Sequence, residues 1–296
     1  MSATHVHAEE WTGEDVSLGD VERALSSLRG RSADETEGPD LRTSVMTHLA
    51  WVPEEWRAAA VETLAGLEEL HPSRVILLFP EPTGPDCIDA KVSVLAFPLA
   101  AQRRHIAAEV IELSLRGRMA EAPGSIVMPL LVSGLPVFLR WRGRPPFGGQ
   151  QLVQLVEICD RFIVDSAEWP DVPAAYSELP FGQAACSDIA WRRTEPWRRA
   201  LARLWPGIQE ARELRVKGPI AEASLLAGWL RSRLEHELDL VHEGSKELDE
   251  VTVDGEACPA PREEASASDL LSAELDQFGR DPVYEAAARA ASGRRS

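Results

Sequence analysis

Short apolar runs that alternate with helical patterns are the feature that most constrains the fold of this chain. The runs RVILLF (residues 74–79), PVFLRW (136–141) and RFIV (161–164) have the length and composition of buried strands. Apolar residues recur at helical spacing over residues 54–70, before the first run, and over residues 152–159, between the other two. The strand run at 136–141, the helical pattern at 152–159 and the strand run at 161–164 follow one another as a βαβ unit. The pattern therefore predicts an α/β fold with a mixed β-sheet covered by helices.

Further strands are predicted outside these runs. Residues 41–51 combine partial alternation with β-branched side chains, and residues 86–98 alternate after a loop rich in Pro and Gly. The strand over residues 86–98 follows a short loop, so we expect it to run antiparallel to its neighbour, which makes the predicted sheet mixed.

The length of 296 residues allows two domains, and the pattern of elements changes near residue 170. We predict an N-terminal helix with a mobile polar segment (residues 1–40), an α/β domain (41–170) and a smaller α+β C-terminal domain (171–296). Within the C-terminal domain, residues 235–268 are acidic and poor in hydrophobic residues. They form either a small hairpin region or a partly disordered stretch.

Charge and cysteine content argue against several classes of protein. Asp and Glu total 48 against 31 Lys and Arg, and the formal net charge of −17 opposes binding to nucleic acid or to an anionic membrane. The four cysteines are widely spaced and form no CxxC or Cys/His cluster, so we predict no metal site. The sequence shows no signal peptide and no apolar stretch of ~18 residues, and we therefore expect a cytoplasmic protein without a membrane partner.

The usual signatures of catalysis are absent from the sequence. It contains no glycine-rich fingerprint that opens a helix after a strand, no P-loop, no GxSxG and no HExxH. We therefore predict no catalytic residues and no cofactor.

The segment LPVFLRWRGRPPFGG (residues 135–149) is the most informative. Three arginines would share one side of it, near the carboxyl end of a strand, if the strand period of two residues continues. These are Arg140, Arg142 and Arg144. The next strand ends in Asp165 and Ser166, which could lie beside the arginines. The pattern indicates either a binding site for a phosphate or a carboxylate, or an ion-paired sheet edge that resists aggregation.

A second cluster, SDIAWRRTEPWRRALARLWPG (residues 187–207), is a basic island in an acidic chain. Trp and Arg are the residue types most enriched at the hot spots of protein interfaces. The residues that we predict to contact a partner are Trp191, Arg192, Trp197, Arg198 and Arg199. The alternative is a helix whose tryptophans fill the core while its arginines are solvated or pair with the acidic tail.

Several segments, taken in order, resemble the OpcA family, the glucose-6-phosphate dehydrogenase assembly proteins of actinobacteria and cyanobacteria. They are HPSRVILL (71–78), PLLVSGLPVFLRWRG (129–143), RFIVDSAEW (161–169), SDIAWRRTEPWR (187–198), LLAGWLRSRL (225–234) and DLLSAELDQFGRDPVYEAAA (269–288). The resemblance runs from about residue 40 to the end of the chain. It departs from the family between residues 235 and 267, where the family usually carries more strand-like sequence.

The resemblance implies a non-catalytic partner protein rather than an enzyme. Proteins of this family bind glucose-6-phosphate dehydrogenase, favour its active oligomer and raise its affinity for substrate, which supports NADPH production by the oxidative pentose phosphate pathway. In cyanobacterial relatives, cysteines make the effect redox-sensitive. The cysteines of this chain lie in no redox motif, so that property is not expected here.

Two other functions stay open on the sequence alone. A sugar-phosphate-binding protein or enzyme would use the arginine row together with Asp165. A scaffold would bind a partner without changing its kinetics.

Overall fold

The structure is a computed structural model that describes residues 7–35, 44–65, 67, 73–98, 105–259 and 265–293. The chain forms two compact units, Met1–Phe162 and Ile163–Ser296.

The first unit is built on a mixed sheet. Its strands are β1 (His7–Gly13), β2 (Thr47–Trp51), β3 (Arg74–Glu81), β4 (Ile88–Pro98), β5 (His105–Arg116), β6 (Val137–Trp141) and β7 (Arg161–Val164), in which the second unit begins. They are ordered β1-β4-β5-β3-β2-β6-β7. The strands β2, β3, β5 and β6 are parallel, whereas β4 is antiparallel to both β1 and β5. The predicted α/β class with a mixed sheet is confirmed.

The central strands are buried along almost their whole length. Every residue of β2 and β6 is buried, and so is the run from Val75 to Phe79 in β3. Continuous apolar runs of this kind suit a parallel sheet that is covered on both faces. Trp51 and Trp141 are register partners on β2 and β6, and their rings stack with centroids 5.0 Å apart.

Helices α1 (Leu18–Glu35), α2 (Arg57–Ala65), α3 (Pro123–Val127) and α4 (Gln150–Glu157) also belong to the first unit. An ion cluster fixes α1 to the sheet. The Nε atoms of Arg29 and Arg74 lie 2.5 and 2.8 Å from the two carboxylate oxygens of Glu109 on β5. Burial raises the pKa of Glu109, but the two guanidinium groups outweigh burial and the net pKa is lowered. Glu109 therefore stays ionised and holds α1 against β3 and β5.

Strand β1 corrects the prediction of a mobile N-terminal segment before the first helix. It pairs with β4, and Trp11 lies opposite Val92. The sequence HAEEWTG hides this strand because charged residues outnumber the large apolar ones, as is common in strands at a sheet edge. Residues 1–6 and 36–40 of the predicted N-terminal segment lie outside the described residues, and so do residues 41–43 of the predicted strand over residues 41–51.

The second unit contains β8 (Ala185–Asp188) and a separate small sheet. That sheet is formed by β9 (Glu213–Gly218), β10 (Asp239–Gly244), β11 (Glu250–Val253) and β12 (Glu256–Ala257), in the order β10-β9-β11-β12. β10 is parallel to β9, while β11 is antiparallel to β9 and β12. Strands thus occupy part of the acidic stretch 235–268, of which residues 260–264 lie outside the described part.

The helices of the second unit are α5 (Ile189–Arg193), α6 (Glu195–Ala202), α7 (Ile220–Leu234), α8 (Ala267–Leu275) and α9 (Pro282–Ala291). Most of α7 is buried, including Glu222 and Gly228. At Gly228 the helix comes so close to α9 that a Cβ atom would lie 2.2 Å from the Ala287 carbonyl oxygen. Small residues at this crossing let the two backbones approach, and α7 becomes the centre of the unit.

Candidate functional site

The basic island of residues 187–207 folds into the end of β8, the short helices α5 and α6, and the turn that follows. Asp188 begins α5, because its side chain accepts a hydrogen bond from the Ala190 N–H at 2.9 Å. Pro196 lies in the first turn of α6, where its missing N–H costs no helical hydrogen bond. The starts of α5 and α6 are therefore fixed by residues of the basic island itself.

Both tryptophans that were predicted to contact a partner are buried. The exposed fraction is 4% for Trp191 and 5% for Trp197. The Nε1–H of Trp191 donates to Oδ2 of Asp281 at 3.0 Å, and Trp197 packs in an apolar cluster with Leu201 and Leu230. In this conformation both rings fill the interior of the unit, which agrees with the alternative stated above, and their contact with a partner stays a prediction.

The arginines predicted beside these tryptophans are paired within the second unit. Arg192 donates to Glu274 at 2.7 Å and to Glu195 at 3.1 Å. The guanidinium of Arg198 lies 3.4 Å from the ring centroid of Trp191, and burial lowers the pKa of Arg198 to about 10. Arg199 forms an exposed pair with Glu195 at 2.5 Å. Of the five predicted contact residues, only Arg199 presents most of its side chain to solvent.

Arg193, which was not among the predicted residues, lies at the centre of a partly buried ion cluster, in which its own side chain is 31% exposed. Its Nη1 and Nη2 donate to the two carboxylate oxygens of Asp165 at 2.9 and 2.6 Å. Its Nε donates to Oε1 of Glu222 at 2.5 Å, and Glu222 is 1% exposed. Burial raises the pKa of Glu222 although Arg193 opposes that shift. Within the second unit, Asp165 pairs with Arg193, an arginine outside the predicted row, and its pairing with that row stays a prediction.

Asp188 is a second buried carboxyl near this cluster. Its Oδ1 accepts hydrogen bonds from the backbone N–H of Ser166 at 3.0 Å and of Ala190 at 2.9 Å. The Tyr284 hydroxyl donates to Oδ2 at 3.4 Å. Burial first, and then the charge of Asp165, raise the pKa of Asp188 to about 7. This carboxyl therefore changes charge near neutral pH.

The hydroxyl groups around Asp188 are closed to solvent. Ser166 Oγ lies 2.9 Å from the hydroxyl of Tyr176, which donates to the Ala221 carbonyl at 3.3 Å. Ser166 has no exposed surface, Tyr176 is 1% exposed, and burial raises the pKa of Tyr176 well above its ordinary value. A hydroxyl in this environment is neither ionised nor accessible to a substrate. The arrangement is suited to joining elements of the unit rather than to nucleophilic chemistry.

We expect Asp188 to make the free energy of unfolding depend on pH. The pKa of Asp188 is about 7 in the folded chain against an ordinary value of 3.8, so the folded state binds more protons between these values. The contribution of Asp188 to the free energy of unfolding is therefore fully present below about pH 4 and is lost as the pH rises through about 7. Asp188→Asn keeps an oxygen acceptor for both backbone N–H groups. It should be more stable than the parent chain at about pH 8 by up to about 4 kcal/mol, and the difference should vanish near pH 4.

Urea unfolding of the parent chain and of Asp188→Asn across this pH range measures the effect. The exposed Asp239→Asn is the matched control and should follow the parent chain at every pH. The same pH dependence in Asp188→Asn and in the parent chain would show that Asp188 is not the responsible group.

The structure corrects the geometry that was predicted for the arginine row of the first unit. Strand β6 ends at Trp141, so alternation along a strand does not extend to Arg142 and Arg144. Arg140 is buried and donates to the Trp141 carbonyl. The guanidinium of Arg142 lies 4.7 Å from the ring centroid of Trp56, and that of Arg144 lies 5.3 Å from the ring centroid of Phe147. Binding of an anion by these arginines, or by Asp165 and Ser166 in the second unit, stays a prediction.

An exposed aromatic residue of the basic island was missed by the sequence analysis. Trp205 is 59% exposed and Leu204 is 37% exposed, in the turn that follows α6. Their neighbours Leu201 and Ile208 are buried, so both sides of the turn are anchored. The sequence feature that indicates this exposure is the turn sequence WPG at residues 205–207. Pro and Gly end the helical pattern there, so the last aromatic ring lies outside the helical face that packs on the core.

Within the described ranges, no group of three or more His, Cys, Asp or Glu side chains is arranged to hold a metal ion. The thiols of Cys87, Cys159, Cys186 and Cys258 are not joined in disulfides. Burial raises the pKa of Cys159 to about 12, which leaves its thiol protonated and unreactive. None of the described helices has the length and apolar character needed to cross a membrane.

Comparison with protein families finds two matches that follow each other along the chain. Residues 65–180 match a family described as the N-terminal domain of a glucose-6-phosphate dehydrogenase subunit. Residues 184–288 match a family described as the C-terminal domain of the same subunit. Together these matches cover most of both units.

Comparison with curated proteins finds relatives in cyanobacteria that carry the name "Putative OxPP cycle protein OpcA". The relative from Nostoc punctiforme is 31% identical over 179 residues, which are 56% of this chain and 38% of the relative. The relative from Synechocystis is 24% identical over 238 residues, which are 74% of this chain and 50% of the relative. The chain thus spans half or less of the length of the relatives that it matches.

Proposed function

This chain belongs to the OpcA family, and we propose that it is a non-catalytic assembly factor and allosteric activator of glucose-6-phosphate dehydrogenase. In this proposal it binds the enzyme, favours the active oligomer and raises the affinity for substrate, thereby supporting NADPH formation in the oxidative pentose phosphate pathway. The observation that carries the proposal is the pair of family matches over residues 65–180 and 184–288, in chain order.

The buried polar clusters favour a binding role over catalysis. Asp188 and Ser166 are closed to solvent, and Arg193 is held by two carboxylates. Such clusters join elements of the unit and hold its surface in one arrangement. They do not provide a polar group that a substrate can reach.

The energetics of activation set a modest requirement. An activator shifts its target only by binding the active form more tightly than the inactive form. A tenfold gain in substrate affinity requires a coupling free energy of about 1.4 kcal/mol, and one or two well-placed side-chain contacts can supply that amount.

The proposal is tested by titrating the full chain into glucose-6-phosphate dehydrogenase from the same organism. We expect the initial rate at low glucose 6-phosphate to rise with added protein and to saturate, with a fall in the Michaelis constant of roughly tenfold. Sedimentation of the mixture should show a complex and a larger share of the active oligomer. An unrelated protein of equal net charge at the same concentration is the control.

Separate results would contradict separate parts of the proposal. Absence of both co-sedimentation and a rate change would exclude an assembly factor, and co-sedimentation without a rate change would indicate a scaffold. Reduction of NADP by the chain alone would exclude a non-catalytic role. Calorimetry with glucose 6-phosphate and the chain alone tests the sugar-phosphate alternative, and we expect no binding heat.

A further inference from the structure

An exposed apolar turn in the second unit carries an inference about how the chain meets its partner. The patch combines Arg199 of α6 with Arg203, Leu204, Trp205 and Pro206 of the turn that follows, and we name it the Trp205 patch. A single exposed apolar side chain is ordinary on a protein surface, whereas adjacent exposed apolar side chains form a patch that a partner can cover, and here Leu204 is exposed beside Trp205. Trp205 is 59% exposed, whereas Trp191 and Trp197 of the same segment are buried.

The turn holds Trp205 outward instead of leaving it on a loose loop. Leu201 before the patch has no exposed surface, and Ile208 after it is 6% exposed; both belong to the same apolar cluster. The backbone is closed by hydrogen bonds from Leu204 N to Leu201 O at 3.0 Å and from Ile208 N to Leu204 O at 3.2 Å. A ring presented on an anchored turn loses little conformational entropy when it is covered by a partner, which is the situation of an interface hot spot.

The charge around the patch indicates what covers it. Arg203 is exposed, and Arg199 is 62% exposed in its side chain although it pairs with Glu195, whereas the chain as a whole carries a net charge of −17. A local positive surface on an acidic protein complements carboxylates and steers an acidic partner to this position. The overall negative charge opposes a nucleic acid here.

We propose that the Trp205 patch is the surface through which this chain docks on glucose-6-phosphate dehydrogenase. The segment that it receives combines an apolar pocket for the indole ring with carboxylates that face Arg199 and Arg203. This inference rests on the proposed function and adds to it the position of the contact and the chemistry of the partner's surface.

Binding of full-length variants to the dehydrogenase, measured by calorimetry, tests the inference. Trp205→Ala should weaken binding by roughly 10–100-fold, the range for loss of a hot-spot tryptophan. Arg203→Glu should also weaken binding and should reduce its dependence on salt, because the attractive charge pair is lost. Both residues are exposed, so the circular dichroism spectrum and the melting temperature should match those of the parent chain.

Phe278→Ala is the matched control, because Phe278 is 62% exposed and lies outside the patch. This variant should bind within about twofold of the parent chain, since surface substitutions away from a contact have small effects.

The outcomes separate this inference from the proposed function. If the parent chain binds and Trp205→Ala binds equally well, the patch is not the docking surface, while the proposed function stands. If the parent chain does not bind the dehydrogenase, both are wrong. If the chain forms dimers that Trp205→Ala disrupts while binding of the dehydrogenase is unchanged, the patch is a self-association surface and the inference is wrong.

Discussion

Arg193→Ala is expected to destabilise the second unit by up to about 3 kcal/mol, the lower end of the range for removing one partner of a buried ion pair, because Arg193 is 31% exposed. The guanidinium of Arg193 neutralises Glu222, which is 1% exposed, and Asp165, whose side chain is 13% exposed. Without Arg193, two carboxylates keep the cost of burial and lose the opposite charge that offsets it. The free energy of unfolding at neutral pH, measured in urea, checks this expectation.

A compensated variant distinguishes the ionic explanation from a loss of packing. Arg193→Met combined with Asp165→Asn and Glu222→Gln fills the space and removes all three charges, and it should regain most of the lost stability. Arg199→Ala is the control, because the side chain of Arg199 is 62% exposed and its pair with Glu195 is worth little. A loss below about 1 kcal/mol in Arg193→Ala would show that the cluster is not a stabilising centre.

Gly228→Ala is expected to cost about 1–3 kcal/mol or more, even though alanine is the better helix former. The new Cβ atom would lie 2.2 Å from the carbonyl oxygen of Ala287 and 2.8 Å from the backbone N of Ala291. These are backbone atoms, so a side-chain rotation cannot relieve the clash and α9 must move away from α7. That movement would expose Tyr284, which is fully buried, and lengthen its hydrogen bond to Asp188.

The matched control is the helical glycine Gly30 of α1, where an added Cβ atom meets nothing within 4 Å. Gly30→Ala should raise the stability of the first unit by up to about 1 kcal/mol, as expected from helix propensity alone. Thermal unfolding of both variants measures the contrast. Equal effects of the two substitutions would mean that the crossing of α7 and α9 tolerates a methyl group.

The hydrophobic pattern of the sequence was sufficient to predict the central strands and α7. The run RVILLF and the helical face over residues 220–234 are local signals, and the structure places β3 and α7 there. The same reasoning failed for β1, because a strand at a sheet edge with charged residues has no continuous apolar run.

The candidate sites were harder to predict because they depend on contacts between distant positions. Arg193 meets Asp165 and Glu222, which lie 28 and 29 positions away, and no local spacing indicates such pairs. Trp and Arg in one segment are equally compatible with a core and with a surface. Only the fold shows that Trp197 is buried and that Trp205 is exposed.

The place of β1 in the sheet has a consequence for synthesis on the ribosome. Glu10 of β1 is the register partner of Ser93, which lies 83 positions further along the chain. At translation rates of ~5–20 residues per second, the first strand emerges roughly 4–17 s before its partner is made. During that delay the charged side chains of HAEEWTG keep the nascent segment hydrated, so it can wait for β4 without associating with neighbouring chains.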